Sequence, residues 1–133
     1  MSGAVMHSLP KQFSRFASVG VLGFLVNAAV VESLSPRFGP FWAQCLAFPT
    51  AATVTWWLNR RFTFGASQRT LHQEWLHYVF ANSFGWLANN GVYLYLVLHL
   101  AVAYQHPVIA VAAGSLAGML LNFVASRWIV FRD

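Results

Sequence analysis

The chain has 133 residues, of which 58% are hydrophobic, 17% aromatic and only 8% charged. An average soluble domain carries about 25% charged residues, so eight Lys or Arg and three Asp or Glu are too few to coat one of this size in water. Composition thus excludes a soluble enzyme and a disordered chain. It points to a small integral membrane protein, in which four spans of ~20 residues would take about 80 residues.

The net charge of +5 is not that of a nucleic-acid-binding domain. Its cations stand singly or in pairs between apolar runs rather than along a solvated stripe. Cys45 is the only cysteine, so neither an intrachain disulfide nor a Cys-based metal motif is available. The first ten residues lack the charged and apolar regions of a signal peptide. The apolar run that begins at Phe16 is therefore expected to stay in the protein as a signal anchor.

Stretches free of Asp, Glu, Lys and Arg cover 16–31, 38–59 and 75–126. The last is about twice as long as one membrane helix, and Tyr104-Gln105-His106-Pro107 supplies its break, because proline cannot continue a helix. Ser35-Pro36-Arg37-Phe38-Gly39-Pro40 separates the first two runs. Four helices are expected, at about 13–34, 40–61, 75–102 and 107–129, with a tail at 1–12. No ten-residue alternation of the kind that builds a β-barrel is present.

Basic residues gather on the cytoplasmic side of short loops. Lys11 and Arg15 precede the first helix, Arg60, Arg61 and Arg69 join the second to the third, and Arg127 and Arg132 close the fourth. Arg37 alone falls on the other side, so both termini are expected in the cytoplasm of an inner-membrane protein. Trp56, Trp57, Trp75 and Trp128 at one boundary and Trp42 and Tyr104 at the other match an interfacial aromatic belt.

The two halves look like copies. Adding 67 to Pro40, Ala43, Ala47, Ala51, Thr55, Asn59, Arg60 and Phe64 gives Pro107, Ala110, Gly114, Gly118, Asn122, Ser126, Arg127 and Phe131. In the helices that open each half the offset is 62, pairing Phe16 with Tyr78, Gly23 with Gly85 and Asn27 with Asn89. The expected fold is an all-α integral membrane protein, with repeat 1 at about 13–64 and repeat 2 at about 75–131. Each half has two helices, so the repeats are parallel, related by an axis along the membrane normal. The small-residue stripe suits close helix packing; a groove for a lipid tail is the other reading.

Arg15-Phe16 with Val19-Gly20, then Asn59-Arg60-Arg61-Phe62-Thr63-Phe64, then Asn122-Phe123 through Ser126-Arg127-Trp128-Ile129-Val130-Phe131 carry a family resemblance. In that order, over about residues 12–132, the chain resembles the GtrA-like family (the GtrA/DPMS transmembrane domain). It departs from the pattern at Asn27, where the family often has an acid, and at Ser126, where it often has Asn. The resemblance implies movement of polyprenyl-phosphate-linked sugars across the cytoplasmic membrane in polysaccharide or glycolipid synthesis. It also implies a glycosyltransferase as partner, whether the chain moves the lipid or only anchors that enzyme.

A lipid phosphate at the interface suits arginine, whose planar fork of donors recognises phosphate bidentately. Arg15, Asn59, Arg60, Arg61 and Arg127 form the candidate phosphate-binding set; the simpler reading of these cations is as anchors that snorkel to headgroups. Asn27 lies about 18 Å beyond Arg15 at 1.5 Å per residue. With Asn89, Thr55 and Asn122 it forms a candidate polar path, the simpler role being hydrogen bonding between helices.

Glu32 reaches outer water or pairs with Arg37. The acids are too scattered for a glycosidase-type pair, His72 and His77 lack a third metal ligand, and no phosphate-cradling glycine loop occurs. Neither catalysis nor a cofactor is expected. Membrane lipids and a second copy of the chain are the other expected neighbours. A small proton-coupled multidrug exporter is a further alternative, one that would need a carboxylate deep in the first helix.

Overall fold

The computed structural model describes residues 9–131; the expected tail before Leu9, and Arg132, lie outside them. The order of elements is α1 (Leu9–Leu58), α2 (Leu71–His99), α3 (Ala101–Gln105) and α4 (Pro107–Ala125), and no strand occurs among the described residues. Five-residue π-helical turns at Asn59–Thr63 and Ser126–Val130 end α1 and α4. Two stretches, Leu9–Thr63 and Pro107–Val130, are apolar and long enough to cross a membrane.

At 50 residues α1 is interrupted at Gly39, whose φ of 84° and ψ of 158° are non-helical. A side chain is strained there, so the break falls on the residue without one. The expected loop at Ser35–Pro40 is thus reduced to one residue. Helix continues through Pro36 and resumes at Pro40, whose missing N–H is no loss at a helix start. Asn27 and Gln44 exchange two hydrogen bonds of 3.4 and 3.3 Å across this break. In a straight helix they would stand roughly 25 Å apart, so the chain doubles back.

Helix α2 starts at Leu71 rather than near Trp75, because Thr70 caps it by accepting from the Gln73 N–H at 3.3 Å. Thr70-Leu71-His72-Gln73 has the spacing of a capping box. The helix ends at His99 rather than 102: Leu100 is extended, with φ −119° and ψ 122°, and the single turn α3 precedes Pro107. No side-chain cap explains the break at Leu100. The fourth helix, expected to reach 129, widens after Ala125 into a π turn.

Both π turns end on a wide backbone bond, Phe64 N–H to Asn59 O at 2.8 Å and Phe131 N–H to Ser126 O at 2.9 Å. They bring Phe64 and Phe131 face to face, centroids 5.1 Å apart and planes 10° from parallel. Phe16, Trp56, Tyr78, Phe123 and Val130 complete the aromatic core around that stack, so the core sits at one end of the bundle. Towards the other end, Phe24, Phe41, Leu98 and Val108 are each more than two-thirds exposed. So much exposed apolar surface fits a lipid environment.

The closed end is tied by Glu74, which is fully buried in the first turn of α2. It accepts from Trp56 Nε1 at 3.0 Å, Arg60 Nε at 2.8 Å, Ser67 N at 2.8 Å and Ser67 Oγ at 2.6 Å. One carboxylate thereby joins the end of α1, the connecting loop and α2. Along the helices, contact is closest at small residues. A β carbon at Gly114 would overlap the Asn89 carbonyl of α2, and one at Gly85 would overlap the Asn122 amide of α4.

Thermal unfolding in detergent tests both features. Glu74→Ala leaves a guanidinium and three other donors without their acceptor, and should destabilise the protein by about 3–5 kcal/mol. Gly114→Val should destabilise by about 1–3 kcal/mol through overpacking against α2. An unchanged unfolding midpoint in either variant would contradict the packing described.

Candidate functional site

The candidate cations gather at the closed end, in different bonds. Arg15 is exposed on α1 and donates from Nη1 to the Phe62 carbonyl at 3.3 Å. A helix C-terminus leaves carbonyls without partners and carries partial negative charge, so a cation is stable there. Arg69, outside the candidate phosphate-binding set, does the same for the other π turn, donating from Nη1 to Ile129 O at 2.9 Å and Val130 O at 2.7 Å. Arg61 is exposed.

Arg60 and Arg127 differ more. Arg60 forms the one ion pair found among the described residues, with Glu74, and lies 5.8 Å from the Trp57 ring. Arg127 lies 5.0 Å from the Trp128 ring and donates to the neutral Gln12 Oε1. Gln12 is itself buried and donates from Nε2 to Thr63 O at 3.2 Å. Gln12, Arg15 and Arg127 therefore converge on the turn at 62–63, with two cations and no carboxylate bonded among them.

Asn59, expected with the phosphate-binding set, is placed elsewhere. It is 1% exposed and lines a cavity of about 450 Å³ between the helices, within the ~300–1,000 Å³ usual for small-molecule pockets. Thr55, Asn89 and Asn122, expected along a polar path, line the same cavity, together with Tyr78, Asn82 and Ser115. Asn27 does not line it, being bonded to Gln44. Val21, Phe24 and Trp86, all more than half exposed, form its rim, so it opens sideways out of the bundle. None of its lining side chains carries a charge.

A chain of hydrogen bonds orients the cavity floor. Thr55 Oγ1 donates to Ala52 O at 3.1 Å, Tyr78 OH donates to Thr55 Oγ1 at 2.9 Å, and Asn59 Nδ2 donates to Tyr78 OH at 3.0 Å. Each hydroxyl has one proton to give, so the sequence of donors turns the Asn59 amide one way. Its Oδ1 is left without a donor, as is that of Asn122. Glu32 and Arg37 are both exposed on α1 and form no ion pair with each other.

Sequence reasoning overlooked Glu74, Gln12 and Arg69. Glu74 had one visible signal, as the single acid between Glu32 and Asp133, four residues before a tyrosine already paired with Phe16. Gln12 and Arg69 carried none, because their partners lie 51 and more residues away.

A bactoprenol-linked glucose translocase of Salmonella phage P22 is 29% identical over 132 residues, covering 92% of this chain and 97% of the relative. A bactoprenol-linked glucose translocase of Shigella phage SfX is 26% identical over 130 residues, with the same coverage. No solved structure matches the chain. The model of the GtrA/DPMS transmembrane domain matches residues 15–131, which is nearly all of the described structure, and the chain belongs to that family.

Proposed function

We propose that this membrane protein moves a polyprenyl-phosphate-linked sugar across the cytoplasmic membrane. In this reading residues 13–132 cross the inner membrane four times, and the tail at 1–12 and the C-terminus lie in the cytoplasm. The observation that carries the proposal is the pairing of a closed end edged by cations with an uncharged cavity, largely apolar but bearing amides and hydroxyls, open to the side. A phosphate needs the first; a polar headgroup whose tail stays in lipid needs the second. The relatives' shared name as lipid-linked glucose translocases supports the same substrate class.

Four crossings are supported by the break at Gly39 in a 55-residue apolar stretch. Two parallel repeats are supported by contacts that recur at the sequence offsets of 62 and 67. The π turns start at Asn59 and Ser126. Gly23 meets Thr55 where Gly85 meets Asn122. The carbonyls of Phe62 and Ile129, 67 residues apart, each accept from an arginine, although the donors Arg15 and Arg69 do not themselves correspond at either offset. Arg60 reaches Glu74 where Arg127 reaches Gln12, and each of these last two bonds joins one repeat to the other.

That correspondence separates the two arginines chemically. Glu74 neutralises Arg60, whereas the residue in the matching position, Gln12, leaves the charge of Arg127 intact. In this reading the lipid phosphate docks at Arg127 and Arg15, with exposed Arg61 adjoining the turn at 62–63 on which they converge, and Arg60 serves the fold. A glycosyltransferase that makes or uses the lipid-linked sugar is the implied partner. A second copy of the chain would share the exposed apolar faces with membrane lipids.

The test is translocation of a fluorescent polyprenyl-phosphate-linked hexose in proteoliposomes. Gln12→Glu places a carboxylate against Arg127 without removing any cation, and should slow transport at least about tenfold while the protein remains folded. Arg127→Ala should do the same. Transport at the unmodified rate in both variants would overturn the assignment of the phosphate to this edge.

A further inference from the structure

The lining of the cavity pairs at the sequence offsets of the two halves. At 62, Gly23 answers to Gly85 and Phe24 to Trp86; at 67, Ala51 answers to Gly118 and Thr55 to Asn122. Of the exposed lining residues, all but Ser115 stand on two helices, Gly20, Val21 and Phe24 on the first part of α1 and Trp86 on α2. A side opening therefore runs between those two helices. Resting on the translocase reading, we infer that Gly20 sets the width of this opening, through which the lipid chain of the substrate passes between cavity and bilayer.

Ala17, Gly20, Val21 and Phe24 have the spacing of one helix face, and packing does not call for a glycine on it. A β carbon at Gly23, Gly85, Gly114 or Gly118 would overlap a neighbouring helical segment, whereas one at Gly20 would meet nothing within 4 Å. Glycine inside a helix is destabilising relative to alanine, and no close contact offsets that at position 20. Its effect there is to leave the mouth of the cavity clear. Asn82, at the offset of 62, does carry a side chain, but its Nδ2 donates back to the Tyr78 carbonyl of its own helix at 2.9 Å.

The occupant that fits is an apolar chain joined to an anion. Gly20 lies about 7.5 Å beyond Arg15 along α1, at 1.5 Å per residue. A lipid whose phosphate rests at Arg15 and Arg127 thus brings its first isoprene units level with the opening. Ala17, Val21, Phe24 and Trp86 offer those units carbon and aromatic surface, where apolar groups are favoured over water. No lining residue carries a charge that would draw the phosphate away from the arginines.

The experiment uses the purified chain in nanodiscs and a farnesyl phosphate with a photoreactive diazirine on its first isoprene unit. Adducts mapped by mass spectrometry should fall within 17–24 and at Trp86, and excess unlabelled farnesyl phosphate should remove them. Gly20→Phe puts a ring into open space, so the unfolding midpoint should hold. Labelling should fall at least about tenfold, as when overfilling excludes a ligand. Gly91→Phe is the control: a β carbon there also meets nothing, but Gly91 does not line the cavity, and labelling should not change. If Gly20→Phe does not fold, Gly20→Leu takes its place.

Labelling of Gly20→Phe at the unmodified level would overturn the inference. So would adducts that excess farnesyl phosphate does not remove, the mark of bulk lipid against the helices. The same variants in the proteoliposome transport assay separate the two readings. Transport at equal rates by the unmodified protein and Gly20→Phe overturns the role of Gly20 alone. Displaceable labelling at the opening without transport overturns the translocase reading and leaves the opening standing.

Discussion

Glu74 and its four donors hold the end of α1, the following loop and the start of α2 in one cluster, and the rest of the molecule is arranged around that tie. With the end of α1 fixed, the π turn at Asn59–Thr63 presents Phe64 to Phe131 and its carbonyls to Arg15 and Gln12. The aromatic core then closes one end of the bundle without a large hydrophobic interior elsewhere. This suits a protein in lipid, where apolar burial between helices gives little drive and close packing and hydrogen bonds must serve instead. Beyond the core the helices touch at Gly85 and Gly114, and the space between those contacts and the core is the cavity.

The closed end also sorts the cations by role. Arginines that look alike along the chain end up as a charge-neutralised staple (Arg60), carbonyl caps (Arg15 and Arg69) and a cation resting on a neutral amide (Arg127). Which arginine is neutralised depends on its partner, the carboxylate of Glu74 for Arg60 and the neutral amide of Gln12 for Arg127.

Much of this is legible in the sequence. The offset of 67 pairs Asn59 with Ser126 and Phe64 with Phe131, and the small-residue stripe marks Gly114 as a packing position, but the π turns and the stacking of the two phenylalanines are seen only in the structure. The family resemblance read from the same residues covers the segment that the family model matches. Helix ends are less legible. Thr70 and Gln73 are a capping signal lying just ahead of the apolar run that places the helix, and proline marks a loop at 35–40 where a single glycine suffices. Side-chain partners are least legible. Asn27 and Asn59 are both amides next to apolar residues, yet one is spent on Gln44 and the other faces a cavity. That distinction arises only when segments far apart in sequence meet.

The central claim is that one laterally open path, with a cation edge at its closed end, lets a lipid-linked sugar cross the bilayer. The most direct measurement is made on the unmodified protein reconstituted alone into liposomes that carry a tritiated polyprenyl-phosphate-linked hexose in both leaflets. A sugar-modifying reagent that does not cross the bilayer is then added outside. If the claim holds, modification proceeds past the outer-leaflet half towards completion. Modification that stops at about half, as in protein-free liposomes, would contradict it.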